Sequence, residues 1–338
     1  MTSNGGTQDL GVVFSFNTSN GTYTKLHDFD NVTGQYPNGS LMQASNGKLY
    51  GMASTGGVNG AGLIFSYDIT NNLFTDVHDF QFATGFTAFG NLTEASNHLL
   101  YGMAFGGGTT GYGVIFSFDP GNANYTVIHN FNSTDGSAPF GTLIQGSNGL
   151  LYGCTSQGGV NSGGVIFSID VAGTTFTKLH DFDDATGSKP WGNVMQASDG
   201  TLYGMTAFGG ANNLGAIYSY NLSSNIYTKL HDCDFIDGAF PYADLIEYHA
   251  NTGIGDAFGE AFPAYVYPNP SDGHLVIEIP KGKFGDVMLT LSDLTGKHLQ
   301  AATLTQSSTA IFLNYPSGVY FASLRTKEGN VTKKVVIR

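Results

Sequence analysis

Five of the nine histidines recur at a constant interval of 51 residues, and this interval constrains the fold more than any other feature of the sequence. The row consists of His27, His78, His129, His180 and His231. Aromatic residues keep the same step, at Phe14, Phe65, Phe116, Phe167 and Tyr218, as do the tyrosines of four LYG triplets, Tyr50, Tyr101, Tyr152 and Tyr203. Such self-similarity indicates a repeat architecture, in which each unit buries its apolar faces against its neighbours. A residue present in every repeat is expected to belong to the scaffold, because catalysis needs its groups only once.

One repeat, taken over residues 40–80, contains four strand patterns. SLMQAS and KLYGMA are joined by Asn46-Gly47, one of the strongest hairpin signals. LIFSYD is a continuous apolar run, typical of a strand buried on both faces, and LFTDVHDF follows after Asn71-Asn72. Four antiparallel strands per repeat, packed face to face against the next four, predict an all-β chain and a β-propeller.

Charge is unevenly distributed along the chain. Residues 1–261 carry 5 Lys and Arg against 21 Asp and Glu, a net charge of −16; residues 262–338 carry 8 against 5, a net charge of +3, which gives −13 in total. An acidic body argues against nucleic acid as a partner, since that function requires a basic surface. No apolar run reaches the ~18 residues that span a membrane, and MTSNGGTQDL lacks the regions of a signal peptide. Cys154 and Cys233 replace Met and Phe of other repeats, so we expect small core residues and no disulfide.

Glycine pairs follow the second strand of the repeats, as in kelch propellers. They are Gly56-Gly57, Gly107-Gly108, Gly158-Gly159 and Gly209-Gly210. The place of the kelch Trp is held by Tyr23, Phe74, Tyr125, Phe176 and Tyr227, and the kelch period of ~50 residues agrees. The pattern GxIFS…LHDF…P-x-G-x-L…DGxLYGMT more closely resembles the GloVer-type (Gloeo-Verruco) tandem repeats, over residues 1–249. This resemblance implies a bacterial surface or secreted protein and assigns no biochemical activity.

The two ends of the repeat array complement each other in sequence. Residues 1–6 align with residues 52–57, so the chain begins within a second strand, and residues 244–247 supply a first strand without a following LYG strand. Residues 240–248 and 1–30 could combine into a closing blade, which predicts a propeller of five 51-residue kelch-like repeats. The alternative is a truncated larger propeller with further blades upstream. With either blade number, we expect that a signal peptide precedes Met1 in the native protein and is missing from this sequence.

Residues 250–262 form a linker of small residues, and residues 263–338 are predicted to fold as a small Ig-like β-sandwich with short strands between Gly-containing turns. This second stretch resembles the C-terminal sorting domain of type IX secretion substrates. The resemblance is carried by Tyr267, Pro268, Asn269, Pro270, Gly318, Tyr320, Lys333 and Lys334, together with the turn at residues 293–297. It implies the type IX secretion machinery as a partner, export to the outer cell surface or the medium, and normally removal of this domain.

The histidine row admits two interpretations. Four of the five histidines are followed by Asp, so these pairs could be metal ligands or acid–base groups; the third repeat has Asn130 instead. If the histidines lie on outermost strands, three strand spacings of ~4.8 Å separate them from the innermost strand, and neighbours lie too far apart to share an ion. We therefore expect a structural row without metal, in which imidazole and carboxylate groups join neighbouring blades by hydrogen bonds.

Aspartates near glycine turns are a second candidate site. Asp30, Asp183, Asp184 and Asp234 could offer oxygen ligands to Ca²⁺. No D-x-D-x-D-G loop is complete, and Gln81 and Asn132 replace Asp30 in two repeats. Turn capping by Asp is therefore the favoured interpretation, and no cofactor is expected.

The most informative variable position lies just before each first strand. It holds Asn38, Phe89, Phe140, Trp191 and Tyr242, after a Pro-like position and near one mouth of the expected central channel. Aromatic rings there could stack on sugars or hold a partner protein. The alternative is packing between adjacent blades. We predict a ligand-binding rim at the four aromatic residues.

An enzyme needs a unique constellation of groups, and none is evident. Glycoside hydrolases use two carboxylates, but Glu94 and Glu247 replace glutamines at equivalent positions, and Glu260 lies in the linker. The sequence has no nucleophile elbow, His-Glu-x-x-His motif or phosphate loop. It favours a secreted or cell-surface binding module for extracellular glycan or protein. The alternatives are a polysaccharide-acting enzyme and a purely structural surface protein.

Overall fold

The structure is a computed structural model that describes residues 1–247, 264–279, 287–326 and 330–338. These residues form strands, bridges and turns, without helix, and the chain divides into two compact units, Met1–Glu247 and Tyr248–Arg338. The all-β class is therefore confirmed. The expected linker at 250–262 lies outside the described residues. Within the described part there is also no helix long and apolar enough to cross a membrane.

The first unit contains one two-stranded and four four-stranded antiparallel sheets, one per repeat, numbered here 1–5 in chain order. Sheet 1 consists of β1 (Val12–Asn17) and β2 (Thr22–Asp28). Sheets 2–5 keep chain order within each sheet, and their strands are β3 (Met42–Gln43), β4 (Leu49–Ala53), β5 (Leu63–Asp68) and β6 (Leu73–Asp79); β7 (Thr93–Glu94), β8 (Leu100–Ala104), β9 (Val114–Asp119) and β10 (Asn124–Asn130); β11 (Ile144–Gln145), β12 (Leu151–Thr155), β13 (Val165–Ile169) and β14 (Phe176–Asp181); β15 (Met195–Gln196), β16 (Leu202–Thr206), β17 (Ala216–Asn221) and β18 (Ile226–Asp232).

Local sequence explains the hairpins and the central strands. Gly47 closes the predicted turn of sheet 2 with φ of +82°, a conformation that glycine adopts at least cost, and its N–H donates to the Ala44 carbonyl oxygen at 2.8 Å. The apolar run at residues 63–67 is buried throughout, as expected of a strand covered on both faces. Cys154 and Cys233 are buried free thiols, which fits their place as core residues.

Neighbouring sheets pack face to face. We call the face that meets the following repeat the front, and the face that meets the preceding repeat the back. At the first junction, Phe29 on the front of sheet 1 meets Phe65 on the back of sheet 2 edge-on, with ring centroids 5.2 Å apart. The same contact recurs at the next three junctions at 5.5, 5.4 and 5.1 Å, in the pairs Phe80–Phe116, Phe131–Phe167 and Phe182–Tyr218. The same edge-on contact between two aromatic rings therefore recurs at all four junctions.

The two ends of the array differ in how far they follow the predicted alignment. Thr2 bridges Val12, as Ala53 bridges Leu63 one repeat later, so residues 1–6 do take the place of a second strand. Residues 240–247 contain no strand, and within the described residues no bridge joins them to sheet 1. The closing blade expected from residues 240–248 and 1–30 therefore stays a prediction.

The second unit contains two antiparallel sheets over one core. The three-stranded sheet has the order β19–β20–β23 and the four-stranded sheet has the order β22–β21–β24–β25. Their bounds are β19 (Tyr265–Tyr267), β20 (His274–Glu278), β21 (Val287–Asp293), β22 (His298–Leu304), β23 (Ser308–Phe312), β24 (Gly318–Arg325) and β25 (Asn330–Ile337). The shared core includes Leu275 and Ile277 from the first sheet and Leu289, Leu324 and Val335 from the second.

Candidate binding surface

Two loops of each repeat lie at the same end of its sheet. In sheet 2, Ala53 ends β4 and Asp79 ends β6, and both pair with Leu63 at the start of β5. The loop after the second strand is therefore adjacent to the connection between repeats, and the Gly57 N–H donates to the Asn31 carbonyl oxygen at 3.0 Å. We call this end of the array the loop end.

One residue in each connection fastens consecutive repeats through its backbone. The N–H of Thr87 donates to the Ala61 carbonyl oxygen at 3.1 Å, and its carbonyl oxygen accepts the Phe105 N–H at 2.9 Å. The φ angle is positive, between +51° and +56°, at all five equivalent positions: Tyr36, Thr87, Ala138, Lys189 and Phe240. This left-handed backbone is unfavourable for any residue but glycine, and most of all for a β-branched residue such as Thr87. The inter-repeat hydrogen bonds hold it, so the backbone stays constant while the side chain varies.

A ladder of hydrogen bonds links the starts of the first strands. The Asn91 N–H donates to Thr142 Oγ1 at 2.7 Å, and the Asn193 N–H donates to Asp244 Oδ1 at 2.7 Å. The Ser40 N–H donates to Asn91 Oδ1 in the same way. Neighbouring backbones are close here, since a Cβ on Gly90 would lie 2.1 Å from the Gly141 carbonyl oxygen. Sequence reasoning missed this ladder because its residue type changes, and only the 51-residue recurrence of short polar side chains signals it.

The four predicted aromatic residues form one continuous row. Ring centroids are 4.5 Å apart from Phe89 to Phe140, 6.2 Å from Phe140 to Trp191 and 4.7 Å from Trp191 to Tyr242. Interplanar angles are 19°, 36° and 25° along the same row. The first three residues are half-buried and Tyr242 is 60% exposed. The row therefore packs neighbouring repeats together and is still partly open to solvent, most of all at Tyr242.

Further side chains extend the row at both ends. Phe105 packs edge-on against Phe89 at 5.5 Å, and Phe208 packs against Trp191 at 5.3 Å. The Lys189 ammonium lies 5.2 Å from the centre of the Phe208 ring, close enough for a cation–π interaction. Asn38, in the first repeat, instead donates from Nδ2 to Ser54 Oγ at 2.7 Å. We call residues 36–40, 87–91, 138–142, 189–193 and 240–244 the rim.

Exposed apolar side chains occur at both ends of the sheets and are more numerous at the loop end. At the opposite end they are Phe16, Tyr23, Ile69, Leu73 and Ile226. At the loop end they are Tyr242, Val32, Tyr36, Val58, Phe82, Tyr112, Val160, Phe235 and Ile236. The hairpin turns between first and second strands, at the opposite end, are polar and centre on Asn46, Asn97, Asn148 and Asp199. The loop end is therefore the more apolar of the two ends of the sheets.

The histidine row lies inside the junctions. His27 stacks on Phe74 of the next repeat, with centroids 3.6 Å apart and planes at 6°. The equivalent pairs stack at 4.1, 3.9 and 3.9 Å, and are His78–Tyr125, His129–Phe176 and His180–Tyr227. Burial lowers the pKa of these four histidines, which favours the neutral ring. The row thus joins repeats by ring stacking, whereas the sequence predicted hydrogen bonds between imidazole and carboxylate groups. The polar contacts of two rings are to the connection that follows the same repeat: His27 Nε2 lies 3.2 Å from Thr33 Oγ1, and His129 Nε2 lies 3.3 Å from Asp135 Oδ2. His231, in the last repeat, bonds through Nε2 to Asp237.

The aspartate after each histidine bonds within its own repeat. Asp79 Oδ1 accepts the Val58 N–H at 2.7 Å, and Asn130 Oδ1 accepts the Thr109 N–H at 2.9 Å. An amide oxygen accepts as a carboxylate does, which explains Asn130 in the third repeat. The adjacent Gly57 has φ of +74°, and a Cβ there would lie 2.3 Å from Asp79 Oδ1. This close approach explains the second glycine of the pair.

The candidate Ca²⁺ ligands cap turns. Asp30 Oδ1 accepts the Thr33 N–H at 2.7 Å, and Asp183 Oδ1 accepts the Thr186 N–H at 2.7 Å. Hydrogen bonds from these threonines lower the pKa of Asp30 and Asp183. Asp234 Oδ1 caps its turn in the same way, and Asp184 accepts from Ser188 Oγ at 2.8 Å. In the part of the chain that the structure describes, no group of three His, Cys, Asp or Glu side chains could hold a metal ion.

The glutamates of the array serve the hairpins. Glu94 Oε2 accepts the Ser45 N–H at 2.7 Å, and Glu247 Oε2 accepts the Ser198 N–H at 2.8 Å. Gln145 makes the equivalent bond to the previous repeat at 2.8 Å. The two glutamates therefore do what glutamine does elsewhere. Glu260 lies outside the described residues.

The sorting-domain residues meet along the last strand. Asn269 Nδ2 donates to the Lys334 carbonyl oxygen at 2.6 Å, and Asn269 Oδ1 accepts the Val336 N–H at 2.9 Å. Tyr320 donates from its hydroxyl to the Pro316 carbonyl oxygen at 2.7 Å. The remaining motif residues are placed as follows: Tyr267 ends β19 and is followed by Pro268 and Pro270, Gly318 begins β24, and Lys333 lies within β25.

Two family models match the chain. The Gloeobacter/Verrucomicrobia repeat matches residues 1–153 and 138–254, and the secretion system C-terminal sorting domain matches residues 265–338. Both resemblances drawn from the sequence are confirmed. No curated protein matches the chain.

Solved structures resemble the chain at low identity. One is the extracellular domain of a protein described as a one component system from B. thetaiotaomicron, which is 11% identical with a TM-score of 0.47. The match covers 100% of this chain and 55% of that protein. A protein described as a 6-phosphogluconolactonase from Bacteroides uniformis is 10% identical, with coverages of 96% and 91% and a TM-score of 0.45. A PL25 ulvan lyase is 12% identical, with coverages of 91% and 87% and a TM-score of 0.40. The chain spans about half the length of the first of these.

Proposed function

Because the chain belongs to the Gloeobacter/Verrucomicrobia repeat family and ends in a secretion system C-terminal sorting domain, we propose that it is an exported, non-enzymatic binding module. Its ligand is an extracellular glycan or protein, bound at the rim. The sorting domain addresses the chain to the type IX secretion machinery. The repeat array then acts in the medium or on the outer cell surface.

The proposal includes a propeller-like arrangement of the five repeats as kelch-like blades. One junction geometry recurs between successive sheets, with edge-on aromatic pairs 5.1–5.5 Å apart. A repeated contact relates successive units by a repeated rotation, which supports radial stacking of the blades. The hydrogen-bond ladder from Ser40 to Asp244 fits the side on which blades converge.

The rim carries the binding proposal because it combines a constant backbone with varied side chains. The positive φ at Thr87 and its equivalents is kept in all five repeats, while the residue two positions on changes from Asn38 to Tyr242. Strained backbone that surrounding bonds maintain is characteristic of ligand sites. The aromatic row at the rim offers partly exposed rings, which suit the apolar sides of sugars or aliphatic side chains.

A polysaccharide-acting enzyme would need two free carboxylates facing one cleft. Glu94 and Glu247 are instead each bonded to a serine of the preceding hairpin. These contacts support binding without turnover.

The experiment is a glycan array and an array of aromatic- and aliphatic-rich peptides, both probed with the full chain. We expect signal on one of them, reduced at least tenfold in the double variant Trp191→Ala, Tyr242→Ala. The matched control is Leu73→Ala, because Leu73 is similarly exposed, at 56%, and begins β6 at the end of sheet 2 opposite the loop end.

Three other outcomes would contradict the proposal. Equal signal from the double variant would place binding away from the rim. Turnover of a polysaccharide would indicate the enzyme. Absence of both signal and turnover would indicate a purely structural surface protein.

A further inference from the structure

The back face of sheet 1 lacks the cover that every other back face has. Its two outer aromatic side chains, Phe16 and Tyr23, are 57% and 54% exposed. Tyr67, which is equivalent to Phe16 one repeat later, is 2% exposed. Phe14 is half-exposed, whereas its equivalents in sheets 2–5 are buried. The difference arises because no other sheet packs on this face within the described residues.

The front face of sheet 5 is uncovered in the complementary way. Tyr203, Met205 and Ile217 are partly exposed, whereas the corresponding residues of sheets 2–4 are buried. His231 is exposed, and within the described residues it makes none of the ring contacts by which the other four histidines meet the next repeat. The front face of sheet 5 is therefore exposed, whereas the front faces of sheets 1–4 each pack against the next sheet.

The two uncovered faces carry matching hydrogen-bonding groups. At the last interior junction, the Tyr227 hydroxyl donates to the Thr186 carbonyl oxygen at 2.9 Å, and Lys229 Nζ lies 3.3 Å from the Ala185 carbonyl oxygen. Tyr23 and Lys25 are the equivalent donors on sheet 1. The equivalent acceptors after sheet 5 are the carbonyl groups of Asp237 and Ile236.

We propose that a second copy of this chain docks front to back, with sheet 5 of one copy against sheet 1 of the other. The contact continues the interior junctions: His231 stacks on Tyr23 of the second copy, and Lys25 of that copy donates to the Ile236 carbonyl oxygen. Such a contact uses two different surfaces, so it generates closed rings where the rotation closes and longer assemblies where it does not. The proposal commits to a second copy because the face that fits each exposed end is the other end of this same chain.

Sedimentation velocity of the full chain over a concentration series tests the contact. The wild type is expected to associate as concentration rises. Tyr23→Asp, which blocks the back face, and Met205→Asp, which blocks the front face, are each expected to stay monomeric. Tyr265→Asp is the matched control, since this tyrosine is 56% exposed in the other unit, and it should associate as the wild type does.

A mixture of the two blocked variants is the most discriminating experiment. Each variant keeps one intact face, so the mixture is expected to form a dimer and nothing larger, with both variants folded by circular dichroism. A wild type that is monomeric at every concentration would overturn the proposal, whether or not the chain closes on itself. So would a mixture that stays monomeric, or a loss of association in the Tyr265 control.

Discussion

At the junctions, equivalent positions keep their chemistry; at the rim, they do not. The junction histidine is present in every repeat, and its stacking partner is always Phe or Tyr, at 3.6–4.1 Å. The rim position after the Pro-like residue holds Asn, Phe, Phe, Trp and Tyr on a backbone that scarcely changes. The contacts that hold neighbouring sheets together therefore recur with the same residue types. The rim, where we propose that ligand binds, differs from repeat to repeat.

The largest expected effect comes from removing a junction ring. Phe182 is completely buried and meets Tyr218 and Tyr227 edge-on. Phe182→Ala should lower the free energy of unfolding by about 3–5 kcal/mol, as large-to-small core changes do. Trp191→Ala, at the half-buried rim, should cost about 1–2 kcal/mol. Urea unfolding of both variants checks the difference, and equal losses would abolish the distinction between junction and rim.

A methyl group added at the glycine pair should produce the next largest effect. Gly57→Ala combines φ of +74° with a Cβ 2.3 Å from Asp79 Oδ1, so we expect a loss of about 2–3 kcal/mol. Gly47→Ala has a similar φ of +82° but no atom within 4 Å of the new Cβ, and should cost about 1 kcal/mol. The comparison is made by thermal unfolding. Similar losses would mean that backbone strain alone explains the pair.

The buried histidines should make the array less stable in mild acid. Burial lowers the pKa of His78 and His180 below the ordinary value of 6.5. Below pH 6.5 the unfolded chain therefore binds protons that the folded chain does not, and the free energy of unfolding decreases as the pH is lowered. His180→Phe keeps an aromatic ring and should make this decline shallower. Urea unfolding between pH 7.5 and pH 5.5 measures it, and an unchanged slope in the variant would exclude His180 as a cause.

Restoring a lysine in sheet 2, one of the two repeats that lack it, should yield the smallest change. Lys178 lies 2.9 Å from Asp181 and Lys229 lies 2.8 Å from Asp232, but the equivalent residue in sheet 2 is Asp76. Burial, and then the charge of Asp79, raise the pKa of Asp76 to about 6. At pH 7 Asp76→Lys should raise the free energy of unfolding by about 0.5–1 kcal/mol through the restored pair. Thr75→Lys places a lysine beside it but leaves the Asp76 carboxylate in place, and should give no comparable gain; equal gains would exclude the pair as the cause.

Much of the array could be predicted because its signals are local and repeated five times. The Asn46-Gly47 turn, the buried run at residues 63–67 and the pairing of Thr2 with Val12 all follow from one aligned unit. The stacking of His27 on Phe74 did not follow. Residue spacing shows which positions recur, but not which ring of the next sheet lies against them, since that depends on how two sheets approach.

The sequence identified the variable positions of the rim but not the ring contacts or the backbone conformation there. Variation from Asn38 to Tyr242 identified the row, yet its continuity depends on ring-to-ring distances that no pattern states. The positive φ at Thr87 was also hidden, because a β-branched residue gives no signal for a left-handed backbone. Tertiary hydrogen bonds impose this conformation against the local preference.

The most direct test of the central claim compares binding by two variants on the same positive array probe. The double variant Trp191→Ala, Tyr242→Ala removes two of the four rings of the aromatic row. His180→Phe replaces a junction imidazole but keeps an aromatic ring in its place. We predict at least a tenfold loss of binding for the first and unchanged binding for the second. Unchanged binding by the rim variant, together with a loss in His180→Phe, would contradict the account.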